Sequence, residues 1–296
     1  MQDSKKILAV GSIAYDSIQT PKGNRERILG GSCTYFSVAA SSYTTVNIIG
    51  IVGKDFDTES WNIFKKYNIN TKNVEIADGK TFSWGGIYNN DYSKRDTLFT
   101  ELGVFENFIP NIDSNIKNPI LYLGNIQPQL QLDVISKVKA PYLIAADSMN
   151  LWIDLFPDKV KELISKVDLF MLNDEEAQQL TNKTNLEDIA DDLLNLGPKI
   201  IIIKKGGKGS LLAYKNKKIN IPVVPNTPLY DPTGAGDSFA GGVLGYISNH
   251  GLENPEDAVI HGTAVASYTV SGFGLENLYK LREDDLNKKI QQIKVQ

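Results

Sequence analysis

The sequence predicts an α/β fold in which a doubly wound, mostly parallel sheet is flanked by helices and carries a small β lid. Three observations support this class: short apolar runs recur along the chain, longer mixed segments separate them, and two regions interrupt the alternation. Strands that alternate with helices are typical of parallel sheets covered on both faces. With 296 residues, 42% of them hydrophobic, we expect residues 1–296 to form a single domain.

Six apolar runs are predicted to be strands of the main sheet, because they are short, rich in branched residues and almost continuously apolar. They span residues 6–11, 46–53, 120–124, 142–147, 168–172 and 199–204. Helical spacing appears in the segments between them. Residues 57–67 begin with an acidic cap and contain apolar residues at three-residue steps, and residues 185–197 end on Gly197, a common helix stop.

Two regions break this alternation, and we expect them to form the lid. Residues 13–29 are polar before they return to apolar character, and residues 79–103 alternate like antiparallel strands and contain a Gly-Gly pair. A small sheet that projects from the main body would cover a pocket. An ordinary surface hairpin is the alternative interpretation.

Composition and charge exclude several classes of function. The net charge is −4 and no basic block is present, so we expect neither nucleic acid nor a membrane as a partner. Cys33 is the sole cysteine, and together with two histidines eleven residues apart it matches neither a disulfide framework nor a zinc site. The first residues contain no long apolar run, and we expect a cytoplasmic protein.

Residues 231–242 read "DPTGAGDSFAGG" and predict an anion site at the start of a helix. Pro232 and the glycines favour a turn, and helical spacing of apolar residues follows from Ser238. Free backbone N–H groups and the positive end of the helix dipole gather at such a terminus. The chain lacks the lysine pattern of a P-loop, and Phe239 replaces the third glycine of a dinucleotide fingerprint.

Asp237 lies just beyond these glycines. It can stabilise the positive end of the helix. It can also act as a general base that accepts a proton from a substrate hydroxyl while backbone amides hold the charge of a transferred phosphoryl group. A base beside an anion site is what phosphoryl transfer to an alcohol needs. The residues alone leave both roles open.

Five segments resemble, in family order, the ribokinase-like sugar kinases, also called the PfkB family. The glycine stretch is very similar to the C-terminal signature of that family. The other four are "VGSIAYDSI", "LGGSCTYFSVAAS", "LNDEEAQQL" and "IIIIKKGGKGSLLAY", and together the matches run from about residue 7 to 274. The resemblance implies a ribokinase-like fold and an ATP-dependent kinase that phosphorylates a hydroxymethyl group.

The resemblance also implies roles for individual residues at the reacting end. Asp237 would be the general base, and the backbone of residues 234–236 (Gly234, Ala235 and Gly236) would form the anion hole. Asp16 would bind substrate hydroxyls, since a carboxylate can accept two vicinal O–H bonds. The substrate would pack against the backbone of Gly30 and Gly31. A turn-capping acid is the alternative for Asp16.

On the nucleotide side, the resemblance places Asn173 and Glu176 near Mg²⁺ and the phosphates, with Glu176 binding the metal through water. The same two residues match a capping box, and both interpretations can hold together. Further residues are expected to line this side: Lys204, Gly206, Gly209 and Thr233. Asp231 and Thr233 match family positions that hold a K⁺ ion.

The substrate is left open between two classes. Ala14, Ser32 and Tyr35 replace polar residues that ribokinase proper carries, which disfavours ribose itself as the substrate. Another sugar or a sugar derivative is the first candidate. Aromatic residues would wall the pocket, with Trp84 as the cover: Tyr35, Phe36, Trp84 and Tyr88. Their rings would also suit a nucleoside, the runner-up.

Three further expectations concern other substrates and partners. Phosphosugars are disfavoured, because Lys94 and Arg95 read as a pair of surface charges. A non-catalytic sugar- or nucleotide-binding protein is the alternative of another class. The bare edge of the lid sheet suggests a homodimer through the lid.

Overall fold

The computed structural model describes residues 4–112 and 116–295. In this part of the chain there are thirteen strands: β1 (Ile7–Val10), β2 (Ala14–Thr20), β3 (Gly23–Gly30), β4 (Val46–Gly53), β5 (Asn70–Ala77), β6 (Phe82–Tyr88), β7 (Arg95–Glu101), β8 (Ile120–Leu123), β9 (Leu143–Asp147), β10 (Leu169–Asn173), β11 (Ile200–Lys204), β12 (Ser210–Tyr214) and β13 (Lys217–Ile221). The same part contains ten α-helices: α1 (Ser32–Ala40), α2 (Thr58–Lys66), α3 (Pro128–Lys137), α4 (Asn150–Leu155), α5 (Pro157–Ile164), α6 (Asp174–Thr181), α7 (Leu186–Asn195), α8 (Ala235–His250), α9 (Pro255–Thr269) and α10 (Glu283–Lys294).

Nine strands form the main sheet, in the order β13-β12-β11-β10-β9-β8-β1-β4-β5. Neighbours from β11 to β5 run parallel, and β12 and β13 are antiparallel at one edge. All six apolar runs are strands of this sheet, so the predicted α/β class is confirmed. Strand β5 escaped the prediction because it is an edge strand whose side chains are only partly buried.

Strand β1 shows why the central strands are apolar on both faces. Ile7 and Ala9 point into one hydrophobic cluster, and Leu8 and Val10 point into the other. All four side chains are fully buried. Since side chains alternate across a strand, helices on both sides of the sheet demand an unbroken apolar run.

Two predicted helices begin and end where their capping residues place them. The Asp57 side chain accepts a hydrogen bond from the Ser60 N–H at 2.7 Å at the start of α2. At the start of α7, the Asn185 side chain accepts from the Glu187 N–H at 2.9 Å. Gly197, with φ of 142°, lies just beyond the end of α7. These local signals therefore fix both elements.

The two regions that break the alternation pair with each other in a second sheet of four strands, ordered β3-β2-β6-β7. The β2–β3 and β6–β7 pairs are antiparallel, as expected for residues 79–103, but β2 and β6 are parallel, so the sheet is mixed. The tandem glycines of β6, Gly85 and Gly86, lie on opposite faces of this sheet. A Cβ on Gly85 would overlap the Phe99 ring, and one on Gly86 would overlap the Trp84 ring.

The helices were also compared with the requirements for crossing a membrane. Over residues 4–112 and 116–295, none combines the length and the apolar character that a span needs.

Candidate active site

Helix α8 starts at Ala235, three residues earlier than the apolar spacing predicted, so Gly236 and Asp237 lie in its first turn. Gly234 is the N-cap residue, with φ of 72°. A side chain there is excluded twice, by this left-handed backbone and by the Tyr35 ring, which a Cβ would overlap. The Ala235 N–H donates to the Pro232 carbonyl at 3.1 Å, and the other N–H groups at the start of a helix have no partners within it, as an anion site requires.

Asp237 carries a carboxyl group with a raised pKa. Burial and the nearby Asp147 carboxylate raise the pKa, the charge of Lys204 opposes both, and the resulting pKa is about 7. A carboxyl group poised near neutral pH can accept and release a proton during catalysis. The geometry therefore unites a proton acceptor and an anion site within one helical turn.

Lys204 and Asp147 form a buried ion pair at this site. The Lys204 Nζ lies 2.6 Å from Asp147 Oδ2, and their side chains are 17% and 8% exposed. A Cβ on Gly236 would lie 3.2 Å from the same Nζ. The lysine, predicted to line the nucleotide side, is thus held against the first turn of α8.

The sequence interpretation missed Asp147. A usable signal existed, since "YLIAAD" ends on an acid at the carboxyl end of a parallel strand, the edge where ligands bind in open α/β sheets. The buried Gln131 amide supports this strand end, because its Nε2 donates to the Asp147 carbonyl at 3.0 Å and to the Gly124 carbonyl at 2.9 Å.

Asn173 and Glu176 form the predicted capping box at the start of α6. The Asn173 Oδ1 accepts from the Glu176 N–H at 2.7 Å, and Glu176 Oε2 accepts from the Asn173 N–H at 2.8 Å. Burial raises the pKa of Glu176 to about 7, Lys204 lowers it, and Asp147 raises it. The box therefore also places a buried carboxyl group within electrostatic reach of the Lys204–Asp147 pair.

Asp16 lies on β2, against the glycine pair that precedes α1. A Cβ on Gly30 would overlap the Asp16 carboxyl group, and one on Gly31 would lie 2.8 Å from the Ala14 nitrogen. Burial and the Asp231 charge raise the pKa of Asp16, a Gly31 backbone hydrogen bond lowers it, and the resulting pKa is about 7. Gly30 therefore makes room for the Asp16 carboxyl group, and Gly31 makes room for the backbone from Ser12 to Ala14.

The second sheet presents aromatic residues on the face that carries Asp16. Trp84 of β6 pairs with Asp16 of β2 in register, so both side chains lie on the same face. The Tyr88 hydroxyl lies 3.0 Å from Thr233 Oγ1, which connects this sheet to the glycine loop. Phe36 is the exception among the predicted pocket residues, because it is fully buried and stacks on the Tyr122 ring of the core.

Arg95 makes contacts that the sequence did not predict. Its guanidinium group lies 5.1 Å from the centre of the Trp84 ring. Its charge lowers the pKa of Asp16, and its interaction with the Tyr88 hydroxyl lowers the pKa of that group. Arg95 is exposed, as expected of a surface charge, and it also contacts Trp84 on the face that carries Asp16.

Asp231 and Thr233 lie together in the loop before α8. Asp231 is fully buried, and its two carboxylate oxygens accept from the Thr233 and Gly274 N–H groups, both at 2.9 Å. Burial raises the pKa of Asp231, and these hydrogen bonds lower it. The carboxylate and hydroxyl oxygens of this pair are suitable donors for a hard cation.

Gly206 and Gly209 form the turn between β11 and β12, with φ of 54° and 82°. A Cβ on Gly209 would overlap the Ile221 carbonyl oxygen, whereas no atom of the described residues lies within 4 Å of a Cβ on Gly206. The turn follows directly on Lys204. The turn therefore leaves open space beside its own backbone, on the side where the nucleotide is expected to bind.

Comparison with known proteins agrees with this geometry. The model of the family described as pfkB family carbohydrate kinase matches residues 4–280. The chain is 28% identical to a cytidine kinase of Thermococcus kodakarensis, over 83% of this chain and 90% of that protein. It is 26% identical to a nucleoside kinase of Methanocaldococcus jannaschii, over 92% of each. The fold matches that of Burkholderia thailandensis nucleoside kinase in complex with inosine, with a TM-score of 0.82, 20% identity and coverage of 96% and 97%.

Proposed function

Because the chain belongs to the pfkB family of carbohydrate kinases and is a phosphotransferase with an alcohol acceptor, we propose that it phosphorylates the 5′-hydroxymethyl group of a ribonucleoside. ATP is the proposed phosphoryl donor. The observation that carries this proposal is the position of Asp237, in the first turn of α8, beside both Gly234 and the Lys204 ammonium group. Its carboxylate takes the proton of the attacking hydroxyl while backbone N–H groups and Lys204 stabilise the transferred phosphoryl group.

The acceptor end of the site supports a nucleoside. Asp16 is placed to accept hydrogen bonds from vicinal hydroxyls of a ribose, against Gly30 and Gly31. Trp84 lies on the same sheet face and offers an aromatic ring to a nucleobase. Two of the relatives with long matches are a cytidine kinase and a nucleoside kinase. A free sugar is the second candidate, since Asp16 and the glycine pair would bind its hydroxyls in the same way.

The phosphate end fits a divalent cation. Asp147 ends β9 and Glu176 lies in the first turn of α6, which follows the neighbouring strand β10. Both carboxyl groups are buried, and carboxylate oxygens are the ligands that Mg²⁺ prefers. We propose that Glu176 holds Mg²⁺ through water and that Asn173, Lys204 and the turn from Gly206 to Gly209 line the nucleotide. When bound, the metal neutralises phosphate charge that the acidic site would otherwise repel.

A monovalent cation beside the anion hole is proposed at Asp231 and Thr233. The fully buried Asp231 carboxylate supports this assignment, because it interacts with the Thr233 hydroxyl and accepts from the Thr233 and Gly274 N–H groups. K⁺ there would offset a negative charge next to the phosphoryl group. It would also keep the glycine loop in the shape that α8 requires.

ADP release tests the function. Cytidine, uridine, inosine, adenosine, ribose and fructose are each offered with ATP, Mg²⁺ and K⁺. Turnover stimulated by a ribonucleoside supports the proposal, and turnover only with free sugars replaces it with the second candidate. ATP binding without ADP release across the panel identifies a non-catalytic binding protein and rejects the kinase assignment.

We also propose that the four-stranded sheet pairs two copies of the chain. Strand β7 is exposed along its whole length, and Leu98 and Phe99 are 49% and 37% exposed. Bare strand edges with apolar side chains invite pairing. Sedimentation should give a dimer mass for the wild type and a monomer for Leu98→Lys. A monomeric wild type at micromolar concentration would reject the dimer.

A further inference from the structure

Tyr35 in α1 carries a buried hydroxyl group that no protein atom of the described residues pairs with. The residue is 1% exposed. Buried hydroxyl groups are nearly always hydrogen-bonded, because desolvation without a new bond is unfavourable. An unpaired hydroxyl group beside an active site therefore indicates that a bound ligand supplies the missing hydrogen-bond partner.

The position of this hydroxyl is fixed by two glycines. The Tyr35 ring occupies the place where a Cβ on Gly234 would lie, and its Oη is 3.6 Å from the place of a Cβ on Gly274. Both contacts are with the backbone of loops at the site. The Tyr35 ring is therefore packed closely beneath Gly234, and its hydroxyl group lies near the backbone of Gly274.

Four groups act electrostatically on this hydroxyl, namely Asp16, Asp231, Tyr88 and Asp237, of which Asp237 is the proposed base. Asp231 accepts from two backbone N–H groups, and Tyr88 pairs with Thr233. Asp16 retains free acceptor capacity and faces the substrate side. After burial itself, the Asp16 charge is the largest influence that raises the pKa of Tyr35, so the phenol is protonated and can donate.

We propose that Tyr35 determines specificity by donating a hydrogen bond to a substrate hydroxyl that itself donates to the Asp16 carboxylate. A carboxylate only accepts and a protonated phenol has a hydrogen to give, so a hydroxyl between them satisfies both groups. A deoxy carbon at that place would leave two buried groups unpaired, and sites built this way reject such analogues. The inference rests on the proposed function and narrows the substrate to a ribofuranosyl compound that retains its vicinal hydroxyls.

A substrate–mutant cycle tests this pairing. Wild type and Tyr35→Phe are compared with cytidine, 2′-deoxycytidine and 3′-deoxycytidine, with KM and kcat from ADP release and Kd from calorimetry. We expect Tyr35→Phe to weaken cytidine binding about tenfold, the size of one hydrogen bond, and to lower kcat less. One of the two deoxy analogues should be unaffected by the mutation, and its missing hydroxyl is the partner. Equal weakening of all three compounds, or of none, would overturn the inference.

The melting temperature of the Tyr35→Phe variant distinguishes a substrate-binding hydroxyl group from one that only stabilises the fold. Tyr35→Phe removes a hydroxyl without a protein partner, so its Tm should equal or exceed that of the wild type. Tyr43→Phe is the matched control, because the Tyr43 hydroxyl lies 3.0 Å from His261 Nδ1, outside the site. Tyr43→Phe should lower Tm and leave the discrimination among the three nucleosides unchanged. Loss of discrimination in the control would also overturn the inference.

Calorimetry separates this inference from the proposed function. Wild type that binds cytidine without releasing ADP rejects the function, and the binding cycle still decides the role of Tyr35. If the wild type phosphorylates cytidine but Tyr35→Phe binds the three nucleosides with the same relative affinities as the wild type, the inference alone is rejected. Wild type that binds none of the ribonucleosides of the panel rejects both.

Discussion

Lys204 Nζ and Asp147 Oδ2 lie 2.6 Å apart, in a pair whose side chains are almost completely buried. Asp147 ends β9 and Lys204 ends β11, the two strands that flank β10 in the main sheet. A buried ion pair is weak evidence for stability, because desolvation offsets the attraction between the charges. Here it holds one positive charge against the first turn of α8, where a transferred phosphoryl group would need it.

Replacing Asp237 with Asn removes the proposed base and preserves the shape of the side chain. We expect kcat to fall at least ~100-fold. The KM for ATP should change little, because the anion hole is made of backbone N–H groups. ADP release with the preferred nucleoside measures both constants. Near-normal turnover by the variant would contradict the assignment.

The same variant has a predicted effect on stability. The pKa of Asp237 is about 7 in the folded chain, against an ordinary value of 3.8, so between these pH values the folded state keeps a proton that the unfolded state releases. Stability is therefore lost as pH rises through this window and levels off above it. Asp237→Asn should melt above the wild type at pH 8, with a difference that shrinks toward pH 4. The exposed Asp285→Asn serves as the control.

Asp147→Asn tests the electrostatic control of the base. The pKa of Asp237 is raised by burial and then by the Asp147 carboxylate, and Lys204 lowers it. Without the Asp147 charge, the acidic limb of the kcat/KM profile should move to lower pH, because Asp237 loses its proton more readily. Lys204→Met should move the same limb to higher pH.

A second strand-end pair supplies the control for Asp147→Asn. Asp168 and Lys199 lie 2.7 Å apart, and Lys199 is 71% exposed. Asp168→Asn should leave the pH profile unchanged and cost at most about 1 kcal/mol of stability. If the wild type, Asp147→Asn and Lys204→Met all show the same acidic limb, this electrostatic account is refuted.

Trp84→Ala tests the lid face, and Phe99→Ala is its matched control. Both rings lie over one of the tandem glycines, but on opposite faces of the sheet. If Trp84 stacks on the nucleobase, its loss should raise the KM for cytidine by roughly tenfold or more, while KM for ATP changes little. Phe99→Ala should leave both KM values unchanged. An equal effect of the two variants would remove Trp84 from the substrate site.

Local sequence signals determined the elements of the fold. The six apolar runs, the caps of α2 and α7 and the capping box of Asn173 each depend on residues within a few positions of one another. Glycines with an acid after them indicated an anion site and a base for the same reason. Where the local signal was weak, as at the half-exposed β5 and at the start of α8, the prediction missed the element or misplaced its end.

Tertiary structure alone decided which groups meet. Lys204 finds Asp147 57 positions away, Arg95 turns from the edge strand toward Trp84 and Asp16, and Tyr35 packs beneath Gly234. No pattern of periodicity encodes these contacts, because they depend on the order of parallel strands and on the parallel β2–β6 pairing. Propensity and capping act over a few residues, whereas burial and charge act through space. The sequence therefore determined the elements and the reaction class, and packing decided the proton affinity of the base and the surroundings of the substrate.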